Sequence, residues 1–289
     1  MSLVVGVTGG SGFIGKRLVR CLISEGFNVI LLQRSKNKFD TIETRHFDLN
    51  EINTINKDLL DGINVVIHIA ALVHNTSASK IQHNNLNFNA TKKLFDISRF
   101  SNVKKFIFIS TVGVYGLSHC SQIIDVQSPT NPKTAYSIAK LKSEDYLLSK
   151  KTNNPCVSVI RLPLVYGDNA PGNFGLLEKI AKKNISLPFG SANNKRSIVS
   201  VELTVKVLVD ATKDQKLYLG LNLLADPYPT STKKILTQLR QSYGMSPKLF
   251  PAPKSITKLF FSIIGKHKVY EQLYEDLVFS SSIDTTKYN

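Results

Sequence analysis

Tryptophan is absent from the 289-residue chain, cysteine occurs three times, and 37 lysines and arginines outnumber 21 acidic residues. Cys21, Cys120 and Cys156 stand far apart, with no CxxC and no cysteine–histidine group at zinc-ligand spacing. A disulfide framework and a bound metal are therefore not expected. Cys21 and Cys156 sit in apolar segments and read as small core residues. The longest apolar runs stop well short of the ~20 residues that a membrane span needs. The opening MSLVVGVTGG enters strand at once, with no basic leader and no cleavage signal. A secreted protein, a pore and a fibre are poor readings, and reduced thiols point to the cytoplasm. Charged residues make up 20% and apolar residues 42%, which excludes a disordered chain and permits a sizeable core.

The net charge of +16 admits nucleic acid, an anionic membrane surface or a small phosphorylated substrate as partner. Lysines are scattered, with short pairs such as Lys92-Lys93 and Lys233-Lys234, and no basic run is interleaved with aromatics. No nucleic-acid partner is expected. Residues 254–268, KSITKLFFSIIGKHK, are basic and amphipathic. They read first as a helix with its lysines in water, and second as a peripheral membrane contact.

At about 150 residues per domain the length allows two folding units. Short apolar runs at 3–8, 28–33, 64–70, 103–110 and 157–162 predict strands, and apolar spacing predicts helices over 13–25, 84–100 and 134–150. This alternation predicts an α/β fold, a Rossmann-type doubly wound parallel sheet. Prolines and glycines punctuate the second half, with helices expected at 174–184, 202–213 and 231–243 and strands at 197–201 and 216–220. The expected division is a nucleotide-binding domain over 1–165 and a smaller C-terminal substrate-binding lobe over 166–289, with some segments returning to the sheet.

GVTGGSGFIG follows the first strand directly, with Gly9, Gly12 and Gly15 three apart and a helix beginning at the third. A dinucleotide pyrophosphate needs close backbone approach, free N–H groups and a helix N-terminus aimed at it. The three glycines, with Phe13 and Ile14 between the last two, are the first cofactor-binding candidates. No lysine followed by Ser or Thr closes the loop, which argues against a Walker-type nucleotidase. The second strand ends in Gln33 and Arg34, with nothing acidic at its tip. An acid there suits the ribose hydroxyls of NAD, an arginine the extra phosphate of NADP, so NADP(H) is expected over NAD(H). Tyr136 and Lys140 are four apart on a predicted helix and share a face. An ammonium group near a phenol favours the phenolate, so this pair is a candidate proton shuttle. Ser110 and Thr111, just past the fourth strand, supply a hydroxyl for a substrate oxygen.

TGGSGFIG at 8–15, FDLN at 47–50, HIAA at 68–71, FISTVGVYG at 108–116, YSIAK at 136–140 and RLPLVYG at 161–167 together resemble the extended short-chain dehydrogenases/reductases. These are the nucleotide-sugar epimerases, dehydratases and reductases. The resemblance covers residues 1 to about 225. It implies that Asp48 and Leu49 flank the adenine, that Ala70 and Ala71 line the cofactor groove, and that Pro163 touches the nicotinamide end. Thr111 falls on the catalytic Ser/Thr position with Ser110 beside it, Tyr136 on the acid/base and Lys140 on its partner, which also holds the cofactor ribose. It further implies a homodimer through the helices at 84–100 and 134–150.

GNF at 172–174, LPFGSANNKRSIVSVE at 187–202 and AALVH at 70–74 resemble a branch of bacterial surface-polysaccharide synthesis. That branch holds UDP-N-acetylhexosamine 4-epimerases and reductases of UDP-4-keto-6-deoxy-N-acetylhexosamines. It implies that Asn173 and Arg196 touch a UDP-linked sugar, Arg196 at the diphosphate, and that His74 lines the sugar pocket. Dehydratases of the family carry Asp-Glu after the catalytic threonine, whereas Val112 and Gly113 follow Thr111. The missing acid at 33–34 favours the NADP-dependent 4-keto reductase. The alternative is a UDP-glucose or UDP-N-acetylglucosamine 4-epimerase with tightly bound NAD. A non-catalytic NAD(P)-sensing regulator has no need of Thr111, Tyr136 and Lys140 together. The branch continues past the segment matching FSSSIDTTKYN into a Leu-Gly-Trp-like turn and a final helix, so a cut chain and a naturally shorter one both fit.

Overall fold

Val4–Thr8 (β1), Asn28–Gln33 (β2), Val65–His68 (β4), Lys105–Thr111 (β5) and Cys156–Leu162 (β6) are the apolar runs read as strands. The computed structural model, which describes residues 2–34, 42–73, 79–150 and 154–288, pairs them all in parallel. Thr44–His46 (β3) and Gly220–Leu223 (β9) complete a seven-stranded sheet in the order β3-β2-β1-β4-β5-β6-β9. Covered on both faces, its central strands can be apolar throughout. Helices α1 (Phe13–Ser24) and α6 (Val201–Lys213) pack on one face through Leu18, Leu22, Val205 and Leu208. Helices α3 (Ala90–Ser98) and α4 (Ala135–Ser149) cover the other through Leu94, Phe95 and Leu147. The doubly wound sheet is thus as expected, and the chain returns to it after residue 166 with α6 and β9.

Several elements depart from the sequence reading. β3 carries no apolar run and exists because it extends the sheet beside β2, Leu31 opposite Thr44. The last strand falls at 220–223 instead of 216–220, because Tyr218 (φ 56°) and Gly220 (φ 74°) turn the chain first. The helix expected from residue 84 starts at Lys80 (α2, Lys80–His83), where Ser79 and Gln82 form a capping box. It passes through a π-helical turn, Asn84–Asn89, before α3. The stretch 254–268 is two helices, α8 (Lys254–Ile263) and α9 (His267–Tyr274), broken at Gly265 with φ 67°.

The lobe pairs β7 (Leu164–Tyr166) with β8 (Ile198–Ser200) and adds α5 (Gly172–Ala181), α7 (Thr232–Ser242), α8 and α9. Its core gathers Leu187, Phe189, Leu236, Tyr270 and Tyr274. Buried Arg240 of α7 donates to the carbonyls of Ala181, Lys183, Ile185 and Pro247. It satisfies acceptors at and just beyond the C-terminus of α5, where helices leave carbonyls unpaired. Among the described residues no helix is long and apolar enough to cross a membrane, and no group of three or more metal-ligating side chains assembles.

Candidate active site

The glycine turn links β1 to α1 at the C-terminal edge of the sheet, where its strand order reverses between β1 and β4. That is where open α/β sheets bind ligands. Gly9 has φ 71°, and a Cβ on it would come 2.9 Å from the Ala70 backbone nitrogen. A Cβ on Gly15 would lie 2.1 Å from the Gly9 carbonyl oxygen, so any side chain there would drive α1 off the turn. Gly12 caps α1 without a side-chain hydrogen bond, which leaves first-turn N–H groups directed at the groove. Phe13 and Ile14 are half-buried in that turn. This cradle fits a dinucleotide pyrophosphate.

The opposite wall is held by a buried network absent from the sequence reading. Thr8 Oγ1 accepts from the Ile69 and Ala70 N–H groups, both at 3.1 Å, and donates to His68 Nδ1 at 2.8 Å. His68 Nε2 donates to Thr91 Oγ1 at 2.8 Å, and Thr91 donates to the Asn87 carbonyl at 2.7 Å. Burial, aided by the Lys140 charge, pushes the His68 pKa down to about 3, so the ring is neutral and can both accept and donate. The Asn87 side chain brackets Leu72, accepting from its N–H at 2.7 Å and donating to its carbonyl at 3.0 Å. Ala70 and Ala71 are fixed between these two clamps. The HIAA motif and the π-helical turn that carries Asn87 are the signals for them.

Thr111 ends β5, and its Oγ1 accepts from the Gly113 N–H at 3.0 Å, which leaves its own hydrogen for a ligand oxygen. Tyr136 lies in the first turn of α4, whose start is fixed by a Thr134–Ser137 capping box. Its half-buried ring meets the edge of His83, centroids 6.4 Å apart. Lys140 is buried one turn on, its Nζ 6.0 Å from the Tyr136 ring centre. Contrary to the simple pairing argument, that ammonium is engaged elsewhere. It donates to the Ile109 carbonyl at 2.6 Å and lies 4.2 Å over the Phe108 ring centre. Burial pulls the Lys140 pKa down to about 7, against the pull of Glu144, and pushes Tyr136 up to about 12. The tyrosine is a proton donor as it stands.

Glu144 continues the Tyr136–Lys140 spacing by one more turn. Its buried carboxylate accepts from Arg161 Nη2 at 2.6 Å and from Arg161 Nε at 3.1 and 3.2 Å. Ser110 donates to the same carboxylate, so its hydroxyl is turned to the interior and away from the groove. Arg161 also donates to the Tyr115 hydroxyl at 2.8 Å. A charged residue inside the apolar run VSVIRL was the sequence signal for this buried pair.

Gln33 is half-buried at the tip of β2 and Arg34 is exposed beside it. Pro163 is buried between β6 and β7. Asp48 accepts from the backbone and side chain of Asn50, both at 2.9 Å, and Leu49 packs against the core beneath. Asn173 is exposed in the first turn of α5. Half-buried Arg196 donates to the carbonyls of Ser118 at 2.8 Å and Glu275 at 3.3 Å. Burial lowers its pKa to about 10, with Asp276 acting weakly against this. His74 lies outside the described residues.

The model of the NAD dependent epimerase/dehydratase family matches residues 5–216. A UDP-glucose 4-epimerase of Vibrio cholerae is 28% identical over 278 residues, covering 92% of this chain and 84% of that protein. Among solved structures, MoeE5 in complex with UDP-glucose and NAD superposes with a TM-score of 0.73 at 19% identity, covering 97% of this chain and 89% of that one. The Bordetella bronchiseptica enzyme WbmH in complex with NAD+ gives 0.74 at 17% identity, covering 98% and 90%.

The cofactor expectation is corrected by these relatives. MoeE5, WbmH and further similar chains were solved with NAD, not NADP. The missing acid at the β2 tip was a weak guide. Gln33 offers a donor and an acceptor for ribose hydroxyls without any charge. Gln33 is in register with His46, whose imidazole binds Glu51 at 2.9 Å and feels Asp48. Carboxylates from another segment thus stand near the tip, although none lies on β2 itself.

Proposed function

Because the chain belongs to the NAD-dependent epimerase/dehydratase family, we propose that it is a 4-epimerase of a UDP-linked hexose, UDP-glucose or UDP-N-acetylglucosamine, working with NAD. The observation that carries the reading is the set of Thr111, Tyr136 and Lys140 on one edge of the sheet, beside a glycine cradle. The Vibrio cholerae 4-epimerase, similar over most of both chains, supports it. Net reduction of a 4-keto sugar loses its main support once NADP is set aside.

The glycine turn, Gln33, Asp48, Leu49, Ala70, Ala71, Lys140 and Pro163 would hold NAD, with Ser110 contributing backbone. Bound there, NAD supplies the hydride acceptor and donor at C4. Once its phenol proton has been given up to solvent, Tyr136 Oη takes the C4 hydroxyl proton on oxidation and returns it on reduction, while Thr111 Oγ1 donates to the same oxygen. Arg196 grips the diphosphate with its forked donors and Asn173 holds the adjoining region. Anchoring at the diphosphate leaves the sugar free to present its other face. Val112 and Gly113 hold no transferable proton, so water is not eliminated.

The test is incubation of the purified protein with each UDP-sugar and NAD. Conversion to the 4-epimer without net change at 340 nm is expected; stoichiometric NADPH consumption on a 4-keto substrate would support reduction instead. A homodimer through α3 and α4 belongs to the same proposal, supported by exposed Ile81, Phe100 and Leu148 near the ends of that helical layer. Light scattering should give twice 32.1 kDa.

A further inference from the structure

Helix α8 is mounted with its apolar face outwards. Ile256, Leu259, Phe260 and Ile263 stand at i, i+3, i+4 and i+7 and are 57–76% exposed, with Ile264 continuing the stripe at 43%. The residues that fasten the helix to the lobe are Thr257, buried, and Phe261, which meets Tyr270 at 6.3 Å. A helix that only packs on a core turns its apolar stripe inwards; this one spends its largest side chains on solvent.

Charge is concentrated at the same place. From Pro227 to Tyr270 the sequence contains no Asp or Glu and eight Lys and Arg, so 44 residues carry half of the net charge of +16. Lys254, Lys258, Lys266 and Lys268 flank the stripe and are exposed. The first carboxylate beyond the gap, Glu271, is turned inwards to Ser118, His119 and His267. Exposed apolar residues rimmed by cations without anions complement an anionic bilayer, which offers apolar depth behind a negative surface.

We propose that α8 and the start of α9 form a peripheral docking surface for an anionic lipid membrane. The stripe enters the headgroup–acyl boundary and the four lysines face lipid phosphates. The surface adjoins the site, because α9 and the residue that follows it accept from Ser118 and Arg196. The inference does not rest on the catalytic reading, since its test reads binding alone.

The experiment is co-sedimentation of the full chain with phosphatidylcholine vesicles and with vesicles containing about one-third phosphatidylglycerol. Partitioning should be at least about tenfold stronger with the anionic vesicles. It should fall when salt is raised from about 0.1 M to about 1 M, as the Debye length shrinks from ~10 to ~3 Å. Leu259→Ser with Ile263→Ser, and separately Lys254→Glu with Lys258→Glu, should each weaken it at least about tenfold. These side chains are solvent-exposed, and far-ultraviolet circular dichroism checks that each variant is folded. No binding, equal binding to both vesicles, or either folded variant binding like the parent overturns the proposal. So does loss of self-association in Leu259→Ser/Ile263→Ser without vesicle binding by the parent, which would assign the face to a second copy.

Discussion

Arg161 beneath the site and Arg196 at the rim of the lobe are both drawn away from water and are solvated in opposite ways. Burial works against the Arg161 charge, but the hydrogen bonds of Glu144 outweigh it and hold its pKa above the ordinary value. Glu144, Ser110 and Tyr115 close around it into one unit joining α4, β5 and β6. Among the described residues Arg196 donates to the carbonyls of Ser118 and Glu275 and feels the Asp276 carboxylate without a hydrogen bond to it, and burial brings its pKa down to about 10. A guanidinium neutralised by a carboxylate is architecture. One solvated by carbonyl dipoles keeps its positive potential for an incoming anion. Under the proposed function, the sheet side of the site holds geometry and the lobe side holds the ligand.

Chemistry should depend most steeply on the sheet side. Tyr136→Phe is expected to lower turnover by about 10²–10⁴-fold while NAD binding and thermal stability stay near those of the parent, as read by steady-state kinetics and calorimetry. Near-normal turnover would remove Tyr136 as the proton carrier.

Removing one partner of a buried pair should cost about 3–5 kcal/mol, because the other charge is stranded. Glu144→Gln is expected to lose that much in urea denaturation, whereas Glu144→Met with Arg161→Met should recover most of it. Arg196→Ala should do the reverse. Its stability should change by no more than about 1 kcal/mol, while UDP affinity by calorimetric titration falls about 10–100-fold, the worth of a charged hydrogen bond. Equal stability losses in Glu144→Gln and Arg196→Ala would erase the distinction between the two arginines.

A further expected effect concerns pH. Lys140 has its folded pKa lowered from 10.5 to about 7, so between these values the unfolded chain binds more protons and stability rises with pH. Lys105, lowered to about 8 by burial, adds to the same rise. Lys140→Met should reduce the gain in Tm between pH 7 and pH 10 without abolishing it, at about 2–4 °C per kcal/mol. An unchanged slope would mean that Lys140 does not carry a depressed pKa.

The sheet was legible because its central strands are short apolar runs separated by helical spacing, and the glycine turn because only glycine fits at Gly9 and Gly15. Tyr136 and Lys140 stood out by their spacing, whereas Thr111 was separated from Ser110 only by the family resemblance. Glu144 was the next step of the same i, i+4 ladder, and needed only the question of what a buried lysine faces. Arg161 and His68 left a signal, a charge inside VSVIRL and the HIAA motif, but their partners and Asn87 were not legible, since these come from other elements and only the folded sheet brings them together. The NADP expectation, overturned by the relatives solved with NAD, counted charges along β2 alone, whereas Glu51 and Asp48 stand near His46 from the segment after β3. The break at Gly265 was hidden because α8 and α9 are both amphipathic and Lys266 and Lys268 continue the basic pattern of α8 past it.

Under the proposed function, one site takes a hydride from C4 and returns it to the other face of the same sugar. UDP-glucose and UDP-N-acetylglucosamine labelled with deuterium at C4 test this directly, with the product analysed by mass spectrometry and NMR and absorbance followed at 340 nm. The expected product is a 4-epimer that retains its deuterium at C4, with no net reduced cofactor. Deuterium lost to solvent or accumulating in released cofactor, or no 4-epimer from either sugar, would contradict it.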